Sequence, residues 1–177
     1  MLLLFEGIDR SGKTAFAQNL SQQIGFPIYR KTVPANLVWS EYHHYFQGVG
    51  YGLLELHNQF QFNAIIDRSF VSDWVYSNRE KDVKSLSIWR DWENRDVTRR
   101  VVVVYFHVPF PEFEKRLHER PDPYMAIGDY NRFTALYEQY FEFCRFPVIR
   151  LPGHVPWKEQ IALSQSEPLL RDLLTPT

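Results

Sequence analysis

The chain has 177 residues, 45% of them hydrophobic and 16% aromatic, which is enough for one buried core and too apolar for a disordered polymer. Twenty basic residues stand against 21 acidic ones, a formal net charge of -1, so no basic excess marks a nucleic-acid binder, although a local patch would not show in that total. The one cysteine, Cys144, excludes an internal disulfide and fits a reducing cytoplasm, and the apolar start Met1–Phe5 is too short for a signal peptide or a membrane span.

In chain order, Leu2–Phe5 reads as a strand and Ala15–Ile24 as the helix after it. Between them, Gly7-Ile8-Asp9-Arg10-Ser11-Gly12-Lys13-Thr14 matches the phosphate-binding pattern G-x-x-x-x-G-K-[ST] at every fixed position. Gly7 and Gly12 let the backbone curl so that successive N–H groups meet one anion, and the helix start adds its orphan donors and partial positive charge. Lys13 then reaches the outer phosphates of a nucleoside triphosphate, and the Thr14 hydroxyl suits Mg²⁺.

Pro27–Lys31 is the second predicted strand. Ala35–Gln61 reads as one or two helices, broken at Gly48-Val49-Gly50-Tyr51-Gly52, whose spacing is not a dinucleotide fingerprint. Trp39, Tyr42, Tyr45 and Phe46 recur there at helical spacing, a stripe that serves either a core or a base-stacking pocket. His43 and His44 point about 100° apart and make no metal pair.

The third strand, Asn63–Asp67, runs into Asp67-Arg68-Ser69-Phe70. An acid and a base at the end of a buried strand suit phosphate chemistry: Asp67 holds a Mg²⁺-bound water or takes a proton, and the Arg68 fork matches a phosphate. Val71–Trp92 reads as helix with a polar break near Ser77. Arg100–His107, with four consecutive valines, suits a strand covered on both faces. Glu112–Glu119 is a short helix on which Arg116 and Arg120 share a face. They either close a lid over phosphates, with Arg132 a further candidate, or complement the helix end. Asp129 caps a helix striped by Tyr130, Phe133, Tyr137, Tyr140 and Phe141. Pro147–Leu151 is the fifth strand, and Trp157–Leu174 the terminal helix. Strands alternating with helices predict an α/β fold, a five-stranded parallel sheet flanked by helices with function at its carboxyl edge.

The run Phe5-Glu6-Gly7-Ile8-Asp9-Arg10-Ser11-Gly12-Lys13-Thr14 resembles the opening of thymidylate kinases, in particular those with an arginine inside the P-loop. Asp67-Arg68-Ser69 sits where that family has its Asp-Arg-aromatic motif, and its serine resembles more closely the Glu/Asp-Arg-Ser motif of deoxynucleoside kinases. The resemblance implies one P-loop NTPase domain over 1–177, with an acceptor-binding helical segment near 35–61 and a small lid near 109–129. It implies an ATP- and Mg²⁺-dependent kinase of a small deoxynucleotide. A deoxynucleoside kinase with Asp67 as base, a kinase acting on a nucleic-acid base or end, and a non-enzymatic nucleotide-binding module are the alternatives. Catalysis would fall to Lys13, Arg10, Asp67 and Arg68, with Arg10 bridging the two substrates' phosphates. ATP would meet Gly7, Asp9, Ser11, Gly12, Lys13, Thr14, Arg116 and Arg120. The acceptor would meet Asp9, Arg68, Trp39, Tyr42, Phe70 and Trp74, and metal would meet Thr14 and Asp67. Related enzymes are commonly homodimers. Tyr29-Arg30-Lys31-Thr32-Val33-Pro34 lacks the acid that both families place after the second strand, with Arg30 or Lys31 standing near that place, so the acceptor's base stays open.

Overall fold

Each apolar run read as a strand becomes one in the computed structural model, which describes residues 1–30, 52–76, 101–122 and 125–174. The strands are β1 (Leu2–Glu6), β2 (Ile28–Arg30), β3 (Ala64–Asp67), β4 (Val101–His107) and β5 (Val148–Pro152). All pair in parallel, in the order β2-β3-β1-β4-β5, so the expected parallel sheet is present. Its helices are α1 (Lys13–Ile24), α2 (residues 52–60), α3 (Phe70–Tyr76), α4 (Phe110–Glu119), α5 (Asp129–Phe143), α6 (Trp157–Ser166) and α7 (Pro168–Leu174).

Strand alternation sorts the core into two layers. Leu2, Leu4, Ile66, Val101, Val103 and Tyr105 pack with α3 and α5 through Val71, Trp74, Tyr137 and Tyr140. Leu3, Phe5, Ile65, Val102, Val104 and Phe106 pack with Phe16, Ala17 and Leu20 of α1 and Ile161 of α6. The rings of Phe5, Phe16 and Phe106 meet pairwise at centroid distances of 5.2–5.7 Å, which fixes α1 on the central strands. With both faces covered, the valine run of β4 is buried throughout, as a parallel sheet requires.

Several boundaries differ from the expectation. The terminal helix is two helices: Glu167 is extended (ψ 117°), because Pro168 lacks an N–H and disfavours a helical residue before it. Asp129 is the first helical residue of α5 rather than its cap, and its carboxylate accepts the Ala126 N–H at 2.9 Å. Helix α4 begins at Phe110, with Pro111 in a first turn that needs no donor there. Trp39, Tyr42, the remaining expected aromatics between 35 and 51, and the stretch 77–92 lie outside the described residues. No helix among the described residues is long and apolar enough to cross a membrane.

Candidate active site

The loop from Gly7 to Gly12 leaves the central strand and opens α1. Gly7 and Gly12 both have positive φ (136° and 88°), and a Cβ on Gly7 would stand 2.6 Å from the Phe106 carbonyl oxygen. Lys13, the first helical residue, folds back into this loop. Its Nζ donates to the carbonyls of Gly7 and Ile8, both at 2.8 Å, and lies 3.1 Å from the Ser11 hydroxyl. Burial pushes the Lys13 ammonium down to about 7, and the Arg68 charge pushes the same way against Asp9, Asp67 and Glu6.

Register brings the acidic–basic pair to this loop. Phe5 of β1 lies opposite Asp67 of β3, and Asp67 lies opposite Arg30 of β2. Asp67 is buried, and its Oδ2 accepts the Thr14 hydroxyl at 2.7 Å. The Arg30 Nε stands 3.8 Å from the same oxygen, with its side chain two-thirds exposed. Arg68 adopts φ 71°, donates its N–H to the Phe5 carbonyl at 3.1 Å, and pairs its guanidinium with Asp9. That guanidinium lies 4.9 Å from the centroid of the Tyr76 ring. Burial opposes the Arg68 charge, yet Tyr76 and Asp9 hold its pKa well above the ordinary arginine value. Burial likewise pushes the Tyr76 phenol up to about 12.

Beneath this turn the Glu6 carboxylate accepts the N–H and hydroxyl of Ser69 and the hydroxyl of Ser72. The Tyr137 hydroxyl of α5 stands 3.4 Å from Glu6 and 3.2 Å from the Gly7 carbonyl. Tyr76 and Glu6 had no assigned role in the sequence reading, and Tyr137 entered it only as part of a helix stripe. The one local signal was an acid terminating a strand that is otherwise wholly apolar.

Segments after β4 and β5 close the loop from the other side. The Arg10 guanidinium donates to the Pro121 carbonyl at 2.9 Å and stands 3.4 Å from Asp122. Arg116 donates through Nη1 to the carbonyls of Arg10 (2.8 Å) and Gly153 (3.0 Å), while its Nε binds Glu112 at 2.7 Å. Arg116 thus grips the P-loop backbone, whereas Arg120 is exposed just beyond the end of α4 and Arg132 is exposed on α5. Gly153, also without an expected role, packs so closely that a Cβ would stand 2.1 Å from the Ser11 carbonyl oxygen.

Phe70 and Trp74, expected to face the acceptor, are core side chains. They are 2% and 5% exposed, with Phe70 against Phe146 and Trp74 against Tyr140 and Phe143. Helix α3 turns residues 70, 71, 74 and 75 inward, so both rings face the sheet and α5.

No protein-family model matches the chain, and no curated protein sequence matches it. Solved structures do. A YorR protein from Bacillus subtilis, in complex with phosphorylated GDP, is 24% identical with a TM-score of 0.68, the match covering 94% of this chain and 97% of that one. A deoxyadenosine kinase from M. mycoides, with dCMP and dCDP bound, is 18% identical with a TM-score of 0.66, covering 94% and 98%. A thymidylate kinase from Candida albicans is 16% identical with a TM-score of 0.65, covering 97% and 92%. At these identities the likeness establishes architecture: this chain has the fold of the P-loop nucleotide and nucleoside kinases.

Proposed function

We propose that the chain is a phosphotransferase that moves the terminal phosphoryl group of ATP to the phosphate of a small deoxynucleotide. The observation that carries this reading is the junction of the two motifs: Thr14 hydrogen-bonds Asp67 at 2.7 Å, beside the cradle that holds Lys13 and the Arg68–Asp9 pair. Phosphoryl transfer needs alignment and neutralisation of charge more than covalent participation by the protein. Lys13 supplies a cation under the outer phosphates, and Arg68 supplies a rigid fork for the acceptor phosphate. Arg10, within the loop, reaches the segment after α4 through the Pro121 carbonyl and Asp122, at the edge where the two phosphates would face each other.

The proton account supports a phosphate acceptor over a hydroxyl one. A nucleoside hydroxyl must lose a proton as it attacks, so it needs an available carboxylate. Asp67 Oδ2 already accepts the Thr14 hydroxyl and faces Arg30, and Asp9 is paired with Arg68. A phosphate oxygen attacks as an anion and needs no base. The bond from the γ-phosphorus to the bridging oxygen breaks, a bond to the acceptor phosphate oxygen forms, and ADP leaves with the electron pair.

Thr14 and Asp67 present a hard oxygen pair, and no cluster of three or more His, Cys, Asp or Glu side chains fit for a metal occurs among the described residues. This set fits Mg²⁺ bound jointly by Thr14, Asp67, water and nucleotide oxygens rather than a cation in an all-protein cage. Mg²⁺ there would neutralise charge on the phosphates.

The test is ADP release from ATP with a panel of nucleosides, their monophosphates and an oligonucleotide. Turnover confined to monophosphates is expected, with Lys13→Ala lowering it by roughly 10²–10³-fold while the fold survives. Turnover confined to nucleosides would move the assignment to a nucleoside kinase, and turnover with the oligonucleotide to a polymer kinase. A flat panel with tight ATP binding would leave a nucleotide-binding module.

A further inference from the structure

Glu6 closes β1 with no exposed surface at all. A carboxylate in that position is costly unless its oxygens accept hydrogen bonds. Its Oε1 accepts the Ser69 N–H at 2.7 Å and the Ser69 hydroxyl at 2.5 Å, and its Oε2 accepts the Ser72 hydroxyl. These three donors belong to the turn after β3 or to the first turn of α3, and the Tyr137 hydroxyl of α5 adds a longer contact to Oε2 at 3.4 Å. Arg68 sits in that turn with φ 71°, a left-handed conformation that is unfavourable for a residue with a Cβ. The Phe5 carbonyl holds the Arg68 N–H, and the side chain of the next residue, Glu6, holds the next N–H. Two successive acceptors on β1 therefore pin two successive donors of the turn, which is what keeps an unfavourable backbone conformation in place.

We propose that Glu6 is a positioning residue for phosphoryl transfer: by binding Ser69 it holds Arg68 in its left-handed conformation, which carries the guanidinium to Asp9. It touches no reacting group and acts through Arg68. The inference rests on the phosphotransferase reading above, and it extends that reading to a residue outside both motifs' charged positions.

The test compares Glu6→Met, which keeps the length and removes the acceptor, with Glu6→Gln, which keeps one acceptor oxygen for Ser69. Glu6→Met should lower kcat by about 10²-fold with the KM for ATP within about twofold, and Glu6→Gln should lose less than about fivefold. In an Arg68→Ala background, Glu6→Met should change kcat no further. Equal losses in the two variants, or losses that multiply with Arg68→Ala, would overturn the proposal. Should Glu6→Met fail to fold by circular dichroism, the Ser69→Ala, Ser72→Ala double variant takes its place. It should show a smaller kcat loss that also disappears in the Arg68→Ala background, and persistence of the loss there overturns the proposal. If the unmodified chain transfers no phosphate, the phosphotransferase reading fails by itself. A crystal structure of the variant then decides the role of Glu6: Arg68 released from positive φ and from Asp9 supports it, and Arg68 unmoved overturns it.

Discussion

An ammonium buried beside a guanidinium holds its proton weakly, and Lys13 is lowered from 10.5 to about 7 for that reason. Between those two values the unfolded chain binds more protons than the folded one, so this residue makes stability rise with pH from about 7 to about 10.5. Below that window the cost of the buried charge is present in full. Nucleotide phosphates oppose the shift, since their charge favours the ammonium. ATP binding at pH 8 should therefore take up protons, approaching about one per site, and affinity should weaken as pH rises above 7 by up to about tenfold per unit. Calorimetry in buffers of different ionisation enthalpy measures the uptake, and Lys13→Met should abolish it. Binding without proton uptake by the unmodified chain would contradict the assignment. Lys13 and Thr14 were legible because their motif is contiguous. Arg68 was legible as a residue but not as a conformation, because its positive φ is imposed by Phe5 and Glu6, more than sixty positions earlier.

Among the elements, the P-loop is braced by two others that the sequence does not join to it. Helix α4 reaches it through Arg116, and the loop after β5 reaches it through Gly153. Gly153→Ala would drive a Cβ to 2.1 Å from the Ser11 carbonyl oxygen, a backbone atom that cannot turn aside as a side chain could. We expect a loss of roughly 1–3 kcal/mol by denaturant melt, and a weaker ATP affinity as the loop is displaced. Unchanged affinity with the expected loss of stability would show that the brace supports the fold and not the site. The register of α3 shows the same limit of local reading. Phe70 and Trp74 follow the Asp67-Arg68 pair and so were expected at the acceptor, yet the sheet and α5 decide that both rings are core. Where the breaker is a residue's own chemistry, as at Pro168, the boundary was there to be read and follows from the missing N–H.

For the whole molecule, ligand and stability are linked, because a nucleotide held by parts of β1, α1 and β3 binds only the folded chain. ATP at one hundred times its dissociation constant should add about 2.7 kcal/mol, which for a chain of this size raises Tm by about 5–10 °C. Differential scanning calorimetry checks this, and the shift should nearly vanish in Lys13→Ala; no shift in the unmodified chain would remove the basis for the site. The amino-acid sequence by itself determined the five strands, the parallel sheet and the phosphate loop, because each is written in neighbouring residues as periodicity or as a fixed motif. Only the tertiary structure decided which distant groups meet. The partners of Glu6 lie 63, 66 and 131 positions away, and those of Arg116 in the P-loop lie 106 away. Such contacts arise from strand order and helix packing, and these depend on how the whole chain buries its apolar surface.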